Sequence, residues 1–556
     1  MLRTFNVPKF QTLSKSINQS KKFISTTNIQ KYQKSMIVMN KRPLSDDPHV
    51  TDNTPGTDNA ATQPDAQSTV MTEQYDRQRL FDQSNCANVN KATSPEEAPK
   101  DLKFKATWLN AIKERQNQLS RGKIIDSYLY NNVKSTEIKD KTRKDSFSYL
   151  YLPFKEDPLI ADFYVNAGGR IRMGLVFQDL DALAARIAYR HCSPSEPIIV
   201  TASVDRIFML EHMDSITDAN LVLSGSVVWT GRSSMEITVK ATAVPKNISV
   251  PKETRTNEDG TSIEEPHITE EFLNNPEFTT VLMSSFTFVA RNPETHKSLA
   301  INKLLPINEK EWSDYKRAES HNVAKKLRAK NENLKQNASP TAEESQIIHN
   351  LYKANESIQG LSTPFVKMMK DCCFKSTMFV QPQFRNRHSF QCFGGALMKW
   401  TFELAYCTTT SVSHGLPRFL SLDATTFKAP VPIGSILHLD SKVVYSEHIS
   451  KTGNPNSNSA IEKFLPLAQN DPKNFSSDGT VIQVKVDTTV QELQSDKKYS
   501  SGSFIYSFFV PKQDKDAEDF TVLPESYSDY IEYIEARRRT ADSANYGENA
   551  KRLAKL

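Results

Sequence analysis

The chain has 556 residues, 38% of them hydrophobic, which is long enough for two or three domains with buried cores. It contains no run of 18 or more apolar residues, so we expect no transmembrane segment. Its net charge of +5 is unevenly distributed, because residues 1–45 hold nine Lys or Arg and no Asp or Glu.

The basic N-terminal segment differs in composition from everything that follows it. Residues 1–45 are also rich in Ser, Thr, Asn and Gln, a composition typical of a mitochondrial transit peptide; the alternative is a basic disordered tail. The rest of the chain holds 61 basic and 65 acidic residues, and this slightly acidic balance argues against nucleic acid as a partner. Residues 46–100 are polar, with few aromatics, and predict a disordered linker.

The first domain is expected at residues 101–300, beginning with a helix near Trp108. Within it, residues 170–206 predict a long helix, a Ser/Pro loop and an alternating strand. On a helical wheel one apolar arc of roughly 140° is filled by Val176, Phe177, Leu180, Leu183, Ala184, Ile187 and Ala188. Asp181 falls at the edge of this arc, beside the small residues Gly174 and Ala185, so its carboxylate is expected to point toward packed structure.

Alternating runs rich in β-branched residues predict antiparallel strands after this helix. In the first domain these runs cover residues 198–209, 221–230, 235–244 and 279–290, with a polar segment at 245–277. Residues 301–362 are highly charged and predict an exposed helix that connects two domains. The second domain, 363–512, contains a loop at 381–395, a helix at 396–410 and strands at 418–427, 435–446, 480–490 and 501–510. Residues 513–556 predict a helical tail.

The two domains repeat one another. Gly174 matches Gly395, Asp205 matches Asp423 and Trp229 matches Tyr445, with offsets that fall from 221 to 218 to 216 as loop lengths change. Because nothing alternates as βαβ units would, the pattern predicts an α+β class with a tandem duplication.

Several segments together carry a resemblance to a known family. They are RIRMGLVFQDLDALAARIAYRHC, IVTASVDRI and the GRSSMEI run of the first repeat, and NRHSFQCFGGALMKWTFELA and PVPIGSIL of the second. With them, the sequence resembles the acyl-CoA thioesterases of the double hotdog fold, and among these the mitochondrial acyl-coenzyme A thioesterase 9 group. The resemblance covers roughly residues 145–300 and 363–512.

The resemblance implies both a fold and an activity. The fold would be two tandem hotdog domains, each a curved antiparallel sheet wrapped around a long central helix. The activity would be hydrolysis of acyl-CoA to free fatty acid and coenzyme A in the mitochondrial matrix, by a chain that assembles as a homo-oligomer. Coenzyme A would be part of the substrate, and we expect no metal and no separate cofactor.

The family combines an acidic residue in the helix of one repeat with an Asn in the loop before the helix of the other. The matching positions are Asp181 and Asn386, although Asn386 lies one residue further from the glycines than the family spacing. The residue types suit the chemistry, because a desolvated carboxylate is a general base and an Asn amide orients water or polarises the thioester. Backbone N–H groups of Gly394 and Gly395 would form an oxyanion hole, and His388 is a candidate for substrate binding.

The second repeat lacks the acid. Phe402 occupies the position equivalent to Asp181, and the neighbouring Glu403 is expected to pair with Lys399. The helix of one repeat and the loop before the helix of the other form a possible site, which we call a frame. The first frame contains Asp181, and the second frame has no acid. We therefore expect one working site per chain, with Asn166 belonging to the second frame. A non-catalytic acyl-CoA-binding or scaffold protein is the alternative function. A hotdog hydratase is less favoured, because neither loop before a helix contains an Asp/His pair.

Other polar residues have structural interpretations. His191 lies on the apolar arc and is expected to be a buried structural residue. Ser233 and Ser234 lie between two predicted strands without a GxSxG motif, which indicates a turn. Asp205 and Asp423 follow equivalent strands, so a repeated structural role is expected. The six cysteines have no zinc-like spacing and are expected to be reduced and mostly buried.

Overall fold

The computed structural model describes residues 137–554 apart from 196, 212, 214, 257–261, 294, 336–338, 359–364, 387–390, 450–477, 494, 496 and 513–519. The predicted transit peptide, the linker at 46–100 and the helix near Trp108 lie outside the described residues. All described residues belong to one compact unit, Thr93–Leu556.

The first repeat begins with short elements and is built around one long helix. Its elements are β1 (Asp140–Lys141), α1 (Arg143–Ser146), β2 (Ser148–Leu152), α2 (Pro158–Tyr164), α3 (Met173–Cys192), β3 (Ile198–Val204), β4 (Ile207–Met209), β5 (Ala219–Thr230), β6 (Ser234–Pro245), β7 (Lys252–Thr256), β8 (Ser262–Pro266), α4 (Glu270–Leu273), β9 (Thr279–Arg291), β10 (Lys303–Leu304) and α5 (Glu309–Lys335).

The second repeat follows a connecting helix, α6 (Ala342–Ile358), and has the same order of main elements. They are β11 (Val366–Met368), β12 (Cys373–Phe379), α7 (Gly394–Ser413), β13 (Arg418–Leu422), β14 (Thr425–Thr426), β15 (Ile436–Ile449), β16 (Gly479–Gln491), β17 (Lys498–Pro511), β18 (Thr521–Leu523) and α8 (Tyr527–Ala554). The predicted strands are present, although 198–209 and 418–427 are each divided into two strands. Strands β7, β8 and β12 and the short helix α2 had no predicted counterpart.

The strands of both repeats form one continuous sheet of 12 strands. Ten follow the order β12-β15-β16-β17-β13-β4-β9-β6-β5-β2, and β3 and β14 pair with each other beside this path. The repeats join edge to edge where β13 pairs antiparallel with β4, with Leu422 opposite Ile207. Each half of the sheet packs on its own long helix, which is the tandem hotdog arrangement that the sequence predicted.

The apolar arc of α3 explains why this helix is central. Phe177, Leu180, Leu183 and Ile187 are fully buried in the main hydrophobic core, together with strand residues such as Val204. Burying a side chain of this size contributes about 1.5–3 kcal/mol. The α3 helix ends at Cys192, and Ser193 and Pro194 follow it. The α7 helix ends at Ser413, and the next residue, His414, has a φ of 54°, the left-handed conformation found at helix C-caps.

The outer face of the sheet is covered by α5 and α8. A β-bulge in β5 turns two consecutive residues to this face: Val227 lies in the main core, whereas Val228 and Trp229 pack with Tyr315 and Ala318 of α5. The prediction of a solvated helix is therefore wrong for one face of α5. Its sparse apolar residues hid that face from sequence analysis.

These two outer helices belong to the duplication. Tyr315 and Ala318 of α5 lie 218 residues before Tyr533 and Ala536 of α8, and β10 and β18 begin 218 residues apart. The repeated unit therefore includes a helix on the outer face. The segments predicted as a linker helix and a tail are equivalent structural elements. No helix within the described ranges is long and apolar enough to cross a membrane.

Candidate active site

Asp181 lies where the central helices of the two repeats meet. Its side chain is only 3% exposed, and each carboxylate oxygen accepts one hydrogen bond. The backbone N–H of Gly395, at the start of α7, donates to Oδ2 over 2.7 Å. The hydroxyl of Thr201 in β3 donates to Oδ1 over 2.9 Å. The acid thus comes from the first repeat and one of its donors from the second.

Burial raises the pKa of Asp181 to about 6, and the hydrogen bonds from Gly395 and Thr201 limit the rise. A carboxyl with this pKa is mostly ionised at neutral pH and is still basic enough to accept a proton from water. The carboxylate therefore meets the requirements of a general base.

The glycines at the start of α7 allow this close approach. A Cβ on Gly395 would stand 2.9 Å from the carbonyl oxygen of Gln178 and 3.0 Å from Cβ of Asp181. On Gly394 it would stand 3.1 Å from the ring of Phe427. The N–H of Gly395 holds Asp181, so only the N–H of Gly394, which has no partner in the described part of the chain, is left from the expected oxyanion pair.

Asn386 lies in the loop that precedes α7. Its side-chain Nδ2 donates to the carbonyl oxygen of Ile199, two residues before Thr201 on β3, over 3.1 Å. The loop therefore brings this amide to the same strand that supplies the Thr201 hydroxyl. His388 lies outside the described residues.

The two loops before the helices are equivalent, and their pairing accounts for the extra residue near Asn386. Val165 bridges Ile171 in the first loop, and Arg385 bridges Cys392 in the second, which is one residue longer between the bridges. Asn166 and Asn386 both follow the first bridge residue. The Asn166 side chain accepts the N–H groups of its own turn, from Gly168 and Arg170, whereas Asn386 reaches across to the other repeat.

The second frame is filled with aromatic rings. Phe402 replaces Asp181, and Phe419 replaces Thr201, because Phe419 opposes Phe508 just as Thr201 opposes Phe288. The rings of Phe402 and Phe419 meet edge to face at 5.8 Å between centroids. A hydrogen-bonded polar pair in one frame is thus an aromatic pair in the other.

The ion pair of Glu403 also crosses between repeats. Arg172, at the start of α3, donates from Nε to Glu403 Oε1 over 2.8 Å. Burial lowers the pKa of Lys399 below its usual value; the charge of Arg172 lowers it as well, and the charge of Glu403 opposes the change. The structure therefore shows Arg172 as a charge partner of Glu403, and the expected pairing with Lys399 one turn away stays a prediction.

The sequence also predicts structural roles for several polar residues and the cysteines. His191 is fully buried, with Nε2 2.9 Å from the carbonyl oxygen of Asn302. The expected turn at Ser233 and Ser234 is confirmed, since the N–H of Gly231 donates to the carbonyl oxygen of Ser234. The five described cysteines are free; two are buried, two exposed and one is intermediate.

Asp205 and Asp423 anchor the outer helices. Asp205 pairs with Lys325 of α5, and Asp423 with Arg206 and with Arg539 of α8. Asp205, Glu236 and His321 also place three possible metal-ligand atoms within 4.8 Å of one another. Lys325 already neutralises Asp205, and Asn322 donates to Glu236, so these carboxylates are used in fastening α5.

Thr201 is the site residue that sequence analysis missed. Its strand was predicted, but a Thr in an alternating strand gives no local signal. Thr201 could be found only from the duplication, because both Asp181 and Thr201 are replaced by Phe at the equivalent positions of the second repeat, Phe402 and Phe419. A paired comparison of the repeats would have selected it.

Known proteins include several with sequences similar to this chain. No protein-family model matches the chain. Acyl-coenzyme A thioesterase 9, mitochondrial, of Mus musculus is 25% identical over 442 residues, which cover 78% of this chain and 84% of the mouse protein. The chain is thus similar in sequence to an acyl-CoA thioesterase over most of its length. Acyl-coenzyme A thioesterase 4, mitochondrial, of Humulus lupulus is 31% identical over 317 residues, 56% of this chain, and this match spans only 55% of the hop thioesterase.

Solved structures of acyl-CoA hydrolases and thioesterases also match parts of this chain. An acyl-CoA hydrolase from Staphylococcus aureus, in complex with butyryl coenzyme A and coenzyme A, is 20% identical, with a TM-score of 0.25, over 34% of this chain and 99% of that one. A putative oleoyl thioesterase from Lactobacillus plantarum is 7% identical, with a TM-score of 0.29, over 66% of this chain and 96% of that one.

Proposed function

We propose that this chain hydrolyses acyl-CoA thioesters to free fatty acid and coenzyme A, with one site per chain. The observation that carries the proposal is the buried Asp181 carboxylate, held between Thr201 of its own repeat and the Gly395 N–H of the other. The similarity to acyl-CoA thioesterases supports the substrate class.

The proposed reaction assigns a role to each group. Asp181 removes a proton from a water molecule, whose oxygen attacks the thioester carbonyl carbon. The negative charge that develops on the carbonyl oxygen is stabilised by the N–H of Gly394, at the positive end of α7. Asn386 orients the water or the thioester. The intermediate then collapses by breaking the carbon–sulfur bond, and the proton held by Asp181 passes to the sulfur of coenzyme A.

The compartment and the assembly are proposed separately. Residues 1–45 have the composition of a mitochondrial transit peptide, and relatives named mitochondrial occur in plant and mouse. A third relative, from Humulus lupulus, is named chloroplastic. We infer a mitochondrial matrix location from the composition of residues 1–45 and the relatives named mitochondrial. Assembly as a homo-oligomer stays a prediction.

The decisive experiment replaces Asp181 in the purified full chain. Asp181→Asn and Asp181→Ala should lower thiol release from acyl-CoA, followed with a thiol-reactive dye, by about a hundredfold or more. Asp179→Asn is the matched control, since Asp179 is an equally buried carboxylate of α3 whose bonded partner is the Tyr164 hydroxyl. Unchanged turnover in both Asp181 variants would rule out the proposed base.

The alternative is a non-catalytic acyl-CoA-binding protein, which is favoured by the aromatic filling of the second frame. The same experiment separates the two functions. Tight binding of several acyl-CoA chain lengths by the wild-type chain, without thiol release, would establish binding alone.

A further inference from the structure

Gln178 carries a buried side-chain amide that the roles assigned above leave unused. The residue is 2% exposed, and neither Nε2 nor Oε1 has a hydrogen-bond partner among the described residues. An unsatisfied buried amide costs about 1–3 kcal/mol, so such groups are rare in folded proteins. An apolar side chain of the same length would be the more stable choice at this position.

The position of Gln178 connects it to the candidate active site. It precedes Asp181 by three residues on α3, so the two side chains lie on neighbouring strips of one helix face. Its backbone carbonyl oxygen is 2.9 Å from the point where a Cβ on Gly395 would stand. Gln178 therefore lies against the same helix start whose N–H groups serve Asp181 and the proposed oxyanion.

The second repeat shows where a side chain at this position runs. The counterpart of Gln178 is Lys399, and the counterpart of Gly395 is Gly174. Cγ of Lys399 is 3.5 Å from the point where a Cβ on Gly174 would stand. A long side chain at this position therefore runs along the first residues of the central helix of the other repeat. The first repeat places a neutral amide at this position, whereas the frame without an acid places a cation.

We propose that the Gln178 carboxamide donates a hydrogen bond from Nε2 to the thioester carbonyl oxygen of the substrate. The inference rests on the proposed hydrolase function and supplies, with the N–H of Gly394, a second donor to the developing oxyanion. Such a donor is more effective in the transition state than in the ground state, because the oxygen gains charge as water attacks.

The test replaces the amide by an apolar group of equal length. Gln178→Met in the full chain should lower kcat about 10²-fold to 10³-fold and change KM by less than about threefold. Its melting temperature should stay equal to that of the wild type or rise, because an unsatisfied amide is removed. Gln178→Leu, a smaller apolar residue, provides a second variant if the Met variant cannot be purified in folded form.

A matched control distinguishes catalysis from the removal of a polar group. Thr410 of α7 also has a hydroxyl with no partner in the described part of the chain, but it lies 15 residues beyond Gly395. Thr410→Val should leave kcat unchanged.

Two outcomes would refute the role of Gln178, and a third would refute the hydrolase function on which it rests. Wild-type kcat in the folded Gln178 variants, or a rise in KM alone, refutes the role of Gln178 while hydrolysis stands. Absence of thiol release by the wild-type chain refutes the proposed function itself.

Discussion

Replacing Asp181 should stabilise the protein while it abolishes the proposed activity. The pKa of this carboxyl is raised from 3.8 to about 6 by burial. The folded chain therefore holds the proton more tightly than the unfolded chain, and stability is lost as the pH rises from about 3.8 through about 6. At about 1.4 kcal/mol per pKa unit, the ionised carboxylate costs about 3 kcal/mol at pH 8.

Asp181→Asn removes this cost and keeps the shape of the side chain. Its amide oxygen can accept the N–H of Gly395, and its amide can donate to the hydroxyl of Thr201. For a unit of this size, about 3 kcal/mol corresponds to a rise in melting temperature of about 3 °C. We expect the variant to melt above the wild type at pH 8 and the difference to shrink toward zero near pH 4.

Thermal unfolding measured at intervals between pH 4 and pH 8 tests this reasoning. Asp423→Asn is a useful contrast, since Asp423 is also buried but pairs with Arg206 and Arg539. Removing its charge breaks the ion pairs with Arg206 and Arg539 and should destabilise the protein. A difference between Asp181→Asn and the wild type that does not change with pH would refute the assigned burial and pKa.

Two further predictions concern groups around this carboxylate. Thr201→Val removes a hydrogen bond that lowers the pKa of Asp181. In a profile of kcat against pH, the midpoint of the fall in activity on the acid side should therefore move upward from about 6. An unchanged midpoint would contradict the role of Asp181 as the base. Gly395→Ala should lower both melting temperature and kcat more than Gly394→Ala, because its Cβ would meet backbone at 2.9 Å rather than a ring atom at 3.1 Å. Melting at the wild-type temperature by both alanine variants would show that the start of α7 is not tightly packed.

The sequence predicted the central helices and long strands because each carries a strong periodic pattern. The apolar arc of α3 and the alternation in β5 and β6 need no tertiary information to be recognised. Strand β12 was missed since it lies at the sheet edge with alternately exposed residues, including both charged Lys375 and apolar Phe379. The hairpin of β7 and β8 was missed because its residues are almost entirely polar.

The candidate site was predictable only in part. Asp181 could be selected because a carboxylate at the edge of an apolar arc is unusual. The hydrogen bond from Gly395 could not be predicted, since it joins residues 214 positions apart. The buried side of α5 was hidden for the same reason: Asn322 and Lys325 look solvated in sequence and are recognised as anchors only beside Glu236 and Asp205.

The edge-to-edge junction of the repeats divides the proposed site between two copies of one ancestral unit. The first copy must keep an acid in the middle of its helix, but it tolerates Met173 where the second copy has Gly394. The second copy must keep glycines at the start of its helix, and it tolerates Phe402 at the position equivalent to Asp181. Under the proposed mechanism, the first repeat supplies the acid and the second supplies the helix start and Asn386, so neither repeat would be an enzyme alone.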